Sequence, residues 1–185
     1  MISCKGQEKT DLLNLKLNEP VETLISENEN TRKFIGTESV EYPFAILVED
    51  ADNTKFLFLS ISINKVFFLL SAKVNNDSVS KFGGGHFEGR IFKTKKQLIN
   101  NLNELKKQNI DSEIFGFRAE IKDAKSKNEI KKILTKMYGN GTKNPNTENG
   151  LYWNVKNENK YIFFAPDYDR LIILKSNNLS KTCYW

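Results

Sequence analysis

Residues 44–74 hold three segments, FAILVED, KFLFLSISI and KVFFLLSAK, dense in β-branched and aromatic side chains. Such side chains fit a pleated surface better than a helix, so this stretch commits the chain to a sheet. Asp52-Asn53 and Asn64-Lys65 punctuate it, which predicts a meander of three strands. The middle segment alternates Phe56, Phe58 and Ser60 with Leu57, Leu59 and Ile61. Both of its faces are largely apolar, which predicts a central strand covered on both sides.

The flanks supply the rest of the fold. The first ten residues are polar. In residues 11–35, Leu13, Leu15 and Leu17 alternate like a short strand, and Pro20 is placed to open a short helix through Val21, Leu24 and Ile25. Residues 1–35 are set apart as a less defined N-terminal segment before a single α+β domain at 36–185. NNDSVSKFGGG at 75–85 is a loop by composition, and HFEGRIF at 86–92 is an expected strand. Strict alternation there would point His86, Glu88 and Arg90 to one face and turn Phe87, Gly89 and Ile91 to the core.

Thr94-x-x-Gln97 has capping-box spacing and opens a helix whose apolar face is Leu98, Ile99, Leu102 and Leu105. IFGFRAEI at 114–121 is a strand with Phe115, Phe117, Ala119 and Ile121 toward the core, and Arg118 and Glu120 opposite. Ser126-x-x-Glu129 has the same capping spacing before Ile130, Ile133, Leu134, Met137 and Tyr138, with Gly139 placed to stop the helix. After a polar loop at 140–150, LYWNV, KYIFFA and RLIILK form an expected antiparallel meander. The sum is an α+β fold: an antiparallel or mixed sheet of about seven to eight strands with two amphipathic helices packed on it.

Several classes drop out. No apolar run reaches about 18 residues, so no spanning helix is expected and no membrane partner. MISCKGQEKT has no apolar core of a leader, so a cytoplasmic location is expected. Cys4 and Cys183 stand at opposite ends, which is no disulfide framework and no zinc cluster. HExxH, CxxC, EF-hand and GxSxG patterns are absent, so neither metal nor cofactor is expected. Asp167-x-Asp169 suits turn chemistry better than a metal.

Charge is uneven. Residues 1–60 carry 6 basic and 11 acidic side chains, whereas residues 90–143 carry 14 basic and 6 acidic. A basic middle suits a polyanion, although lysine also accumulates on plain solvated faces. Lys95, Lys96, Lys106 and Lys107 on the first helix, and Lys127, Lys131, Lys132 and Lys136 on the second, lie mostly off the apolar stripes. They are candidates to meet phosphates of RNA or DNA. Tyr152 is the candidate to stack on a base, since Trp153 aligns with Leu151 and Val155 toward the core.

Catalysis has one candidate set. His86, Glu88 and Arg90, with Arg118 from a strand that could lie beside them, bring an acid/base, a second carboxyl base and guanidinium donors for a phosphorane-like charge. Those are the roles that metal-independent RNA cleavage needs. A polar strand face near a sheet edge carries the same residue types without chemistry. Gly83–Gly85 before it could nest an anion through backbone N–H groups, but the P-loop pattern is missing. The sequence therefore favours a small basic domain directed at nucleic acid, with nuclease activity as its extension. A non-catalytic protein-interaction module, such as an inhibitor, immunity or accessory factor, is the alternative. Oligomeric state is not legible.

Overall fold

The computed structural model describes residues 9–29, 32–38, 45–72, 89–107, 110–144 and 147–176. In chain order, β1 (Thr10–Asp11) leads to a one-turn helix α1 (Val21–Leu24), then β2 (Lys33–Glu38) and β3 (Ala45–Asp50). A short hairpin, β4 (Phe56–Phe58) and β5 (Ile61–Ser62), precedes β6 (Lys65–Ala72) and β7 (Arg90–Phe92). Helix α2 (Lys95–Lys106), β8 (Ile110–Glu120) and helix α3 (Ala124–Tyr138) follow. The chain closes with β9 (Thr142–Lys143), β10 (Leu151–Val155), β11 (Lys160–Ala165) and β12 (Arg170–Lys175).

The fold is α+β. Nine strands form one sheet in the order β7-β2-β3-β6-β8-β12-β11-β10-β9, antiparallel throughout. One face of this sheet carries Ile35, Val48, Phe68, Phe117, Ile173, Ile162 and Trp153, and it packs on Leu98, Leu102 and Leu105 of α2 and Ile130 and Leu134 of α3. The N-terminal leucines Leu12, Leu13, Leu15 and Leu17 join the same core. The opposite face buries Leu47, Phe67, Leu69, Phe115, Phe163, Ile172 and Leu174. Among the described residues no helix is long and apolar enough to cross a membrane.

Local chemistry explains most boundaries. Thr94 and Gln97 form the expected capping box, each accepting from the other's N–H. Gly139, at φ +77°, ends α3. Asn159 and Asp169 take the left-handed conformation that closes the β10–β11 and β11–β12 turns, where Asn and Asp cost least.

Four expectations are corrected. Residues 56–61 are not a central strand: Leu59 and Ser60 adopt positive φ and fold them into the β4–β5 hairpin. With β1 that hairpin makes a separate three-stranded sheet, and the centre of the large sheet is β8. The chain around Leu13, Leu15 and Leu17 is a 3-10 turn and extended connection, not a strand, although the leucines are buried. The cap of α3 is Asp123, three residues before Ser126: its Oδ2 accepts from the Ser126 N–H at 2.7 Å and hydroxyl at 2.8 Å. Those donors hold the Asp123 carboxyl below the usual carboxylate range.

The fourth correction is of parity. In β8 the register with β6 shifts between Leu69 and Leu70, so Phe115 and Gly116 bulge. Phe115 therefore joins the second face, while Phe117, Ala119 and Ile121 face the helices as expected. In β7 the faces are reversed. Arg90 pairs with Ile35 on the helix side and Phe92 packs against that core, whereas Ile91 is 64% exposed.

Candidate nucleic-acid interface

His86 and Glu88, with the Gly83–Gly85 loop, lie outside the described residues. The two arginines of the candidate catalytic set are not brought together. Arg90 sits on edge strand β7, on the helix side. Arg118 sits on β8, four strands away, on the other face. Four strand spacings are about 19 Å. Arg118 lies over the Phe67 ring at 4.4 Å, with Lys65 at 4.6 Å from the same ring. Glu49, almost fully buried, then binds Lys65 and Arg32, each at 3.1 Å. The cations of this face are thus engaged by a ring and a carboxylate.

The lysines divide into two groups by their acidic neighbours. On α2, Lys95 binds Glu27 at 2.7 Å and Lys106 binds Glu22 at 3.6 Å. The acidic N-terminal stretch therefore pairs Lys95 and Lys106, while Lys96 and Lys107 stay exposed. On α3, Lys127 pairs with Asp169. Lys131, Lys132 and Lys136 are exposed and have no ion-pair partner among the described residues. With Asn128 and Thr135 they form one stripe on the outward side of α3. Helical periodicity puts them there: Ile130 and Leu134 take the inward side, and residues at i, i+4 such as Lys132 and Lys136 stack one turn apart. Three ammonium groups, an amide and a hydroxyl in a row can neutralise and hydrogen-bond successive phosphates.

Tyr152 lies on the sheet face opposite the helices. Its ring is 6.2 Å from Phe163, which is 6.2 Å from Tyr161, with interplanar angles of 26° and 12°. Trp153, its neighbour, points inward and donates from Nε1 to the Gly139 carbonyl at 2.9 Å, as its alignment with Val155 implied.

A groove that sequence reasoning missed runs along this end of the sheet. Its volume is about 900 Å³, and Tyr138, Tyr152, Asn154, Glu158 and Tyr161 line it. Tyr138 donates to Glu158 at 3.1 Å, and burial, with Glu158 beside it, pushes the phenol up to about 12. No group of three or more His, Cys, Asp or Glu among the described residues could hold a metal ion. Asp167 and Asp169 bind Asn149 and Lys127.

No family model, no curated protein and no solved structure matches this chain.

Proposed function

We propose that this chain binds nucleic acid, laying a phosphate backbone along the outward side of α3. The observation that supports the reading is the stripe of Asn128, Lys131, Lys132, Thr135 and Lys136, whose three lysines are exposed together while Lys95 and Lys106 of α2 are paired with glutamates. An unneutralised cationic stripe attracts a polyanion by releasing its condensed counterions, so affinity falls steeply with salt.

The test is binding of labelled RNA and DNA by fluorescence anisotropy across a salt series. Three phosphate contacts give a slope of log K against log salt of roughly −2 to −3. The triple variant Lys131→Glu, Lys132→Glu, Lys136→Glu weakens binding and flattens that slope, while Lys95→Glu changes it less. A wild-type protein that retains neither RNA nor DNA at low salt overturns the reading.

A second reading, docking of a protein partner, is favoured by Ile91, which is 64% exposed on edge strand β7. An exposed apolar residue on a strand edge suits addition of a partner strand. Ile91→Lys would abolish such docking and leave nucleic-acid binding intact.

A further inference from the structure

The outward stripe of α3 does not end in open solvent. Lys136 is followed by Met137 and Tyr138, and both line the 900 Å³ groove at the β10 edge. Thr135 of the stripe and Tyr138 of the groove are i, i+3 neighbours on α3, so the cationic track and the tyrosine groove adjoin there.

Two features of the groove are unlike an ordinary sheet margin. First, β9 pairs with Leu151 and Tyr152 and goes no further, which leaves Trp153–Val155 without a strand partner on that side among the described residues. The Gly150 carbonyl accepts from the Asn144 N–H, so the main-chain groups of Gly150 and Tyr152 face β9. Hydrogen-bonding direction alternates along an antiparallel strand, so the Asn154 N–H and C=O point out of the open edge. Second, tyrosine rings stand on both sides of that edge. Tyr138 comes from α3, and Tyr152 and Tyr161 come from the far face, where Phe163 supports them. The Asn154 amide donates to the Tyr161 hydroxyl at 2.9 Å and fixes that ring.

We propose that this groove receives unstacked bases of a single-stranded nucleic acid whose backbone continues along the lysines of α3. This rests on the reading of α3 given above and adds the strandedness of the ligand. Flat rings meet flat bases only when the bases have left a duplex stack. The fixed donor and acceptor of Asn154 suit the polar edge of a splayed base. Glu158 accepts an exocyclic amino group and repels phosphate, which keeps the backbone on the lysine side. An extended peptide would satisfy Asn154 equally well, but it has no use for the cationic track.

The experiment compares a labelled single-stranded oligonucleotide of mixed sequence, its annealed duplex, and heparin, a polyanion without bases. Wild-type protein, Tyr152→Leu/Tyr161→Leu and Asn154→Asp are measured, with thermal melts to confirm folding. Leucine keeps apolar cover over Phe163 but removes the flat ring. Asn154 is exposed, so its variant tests the groove if the leucine variant fails to fold. The expected result is a preference of wild type for the single strand, reduced roughly tenfold or more in each variant, with heparin binding unchanged. A 2-aminopurine base in the single strand should change its emission on binding wild type and not on binding the variants. Equal affinity for single strand and duplex, with no effect of the groove variants while the α3 charge reversals still weaken binding, overturns the groove and leaves the α3 reading standing. Failure of wild type to bind any nucleic acid overturns both. Capture of extended peptides at Asn154, with nucleic-acid binding indifferent to the groove variants, overturns it in favour of a protein ligand.

Discussion

Gly116→Ala tests the register on which the whole sheet depends. Gly116 lies at the β8 bulge, opposite Leu69 of β6 and Leu174 of β12. A Cβ there would stand 2.5 Å from the Ile173 carbonyl oxygen and 2.6 Å from Leu174 Cδ2. The leucine methyl can turn away, but the carbonyl belongs to the neighbouring strand. Strands β8 and β12 must part by roughly half an ångström to restore ordinary contact. Overpacking of this kind costs about 1–3 kcal/mol. A strained ladder hydrogen bond adds about 1 kcal/mol. Alanine returns about 0.5 kcal/mol by stiffening the unfolded chain.

The net expectation is a loss of about 2–3 kcal/mol, or about 4–12 °C in Tm for a chain of this size. Urea unfolding followed by circular dichroism measures it, with the slope unchanged and the midpoint lowered. Gly36→Ala is the control. Its Cβ meets only the tip of the Phe34 ring, at 2.6 Å, and a half-buried ring can swing aside. That variant should lose about 1 kcal/mol or less. A Gly116→Ala protein that unfolds at the wild-type midpoint, or one more stable than Gly36→Ala, would refute the close approach of β8 and β12 at Gly116.

Two further outcomes are expected. Because Tyr138 has its phenol raised from 10.0 to about 12, the protonated form is the one the fold favours. Its contribution to stability is complete below pH 10 and is lost as pH rises through about 12, so the stability gap between wild type and Tyr138→Phe should close over that window; a gap that widens there contradicts the Tyr138–Glu158 contact. If the chain cleaves RNA, His86→Ala should abolish the activity in the presence of chelator and Glu88→Gln should lower it by about 10²–10⁴-fold. Arg118→Ala should leave that rate unchanged, because Arg118 is committed to Phe67 on the other face from Arg90, and a folded Arg118→Ala protein without activity would overturn that placement.

The parts of the fold legible in the sequence are those fixed by near neighbours. The β10–β12 meander shows in its alternation and in Asn159 and Asp169, residues that tolerate a left-handed turn. The α2 start shows in Thr94 and Gln97, whose partners are three residues apart. What escaped depends on distant partners. Phe115 follows the alternation of its strand until pairing with β6 introduces the bulge. Leu59 and Ser60 carry no glycine or asparagine turn signature, and their positive φ is held by the packing of Phe56, Phe58 and Ile61 into the helix-side core and by the Asp11 carboxylate, which accepts from the Leu59 N–H at 3.2 Å. The spacing Ser126-x-x-Glu129 points to Ser126 as the cap, but Asp123 takes that place because its carboxylate accepts both donors of Ser126. The cationic side of α3 was legible because helical periodicity alone decides it. The groove beside it was not, because it exists only where β9 stops short of β10.

The uneven charge of the sequence also changes meaning once the chain is folded. Its acidic start and basic middle do not form two opposed patches. The N-terminal segment lies over the same sheet face as the helices, so Glu22 and Glu27 reach α2 and pair with Lys106 and Lys95. Glu49 does the same for Lys65 and Arg32 on the far face. The exposed pairs on α2 add little to stability. Their effect is on where positive potential remains. Helix α3 is anchored instead by Asp169, a residue of the β11–β12 turn whose carboxylate binds Lys127. The nearest acid along the helix to the lysines one and two turns further on is Glu129, three residues before Lys132 and outnumbered by the three lysines, whereas Asp123 at the cap is farther along the axis: Lys132 is nine residues on, about 13 Å at the helical rise. A separation of that size exceeds the screening length of about 8 Å at physiological salt. Part of the positive charge that the sequence spreads over residues 90–143 thus gathers on one side of one helix, beside the groove at its end.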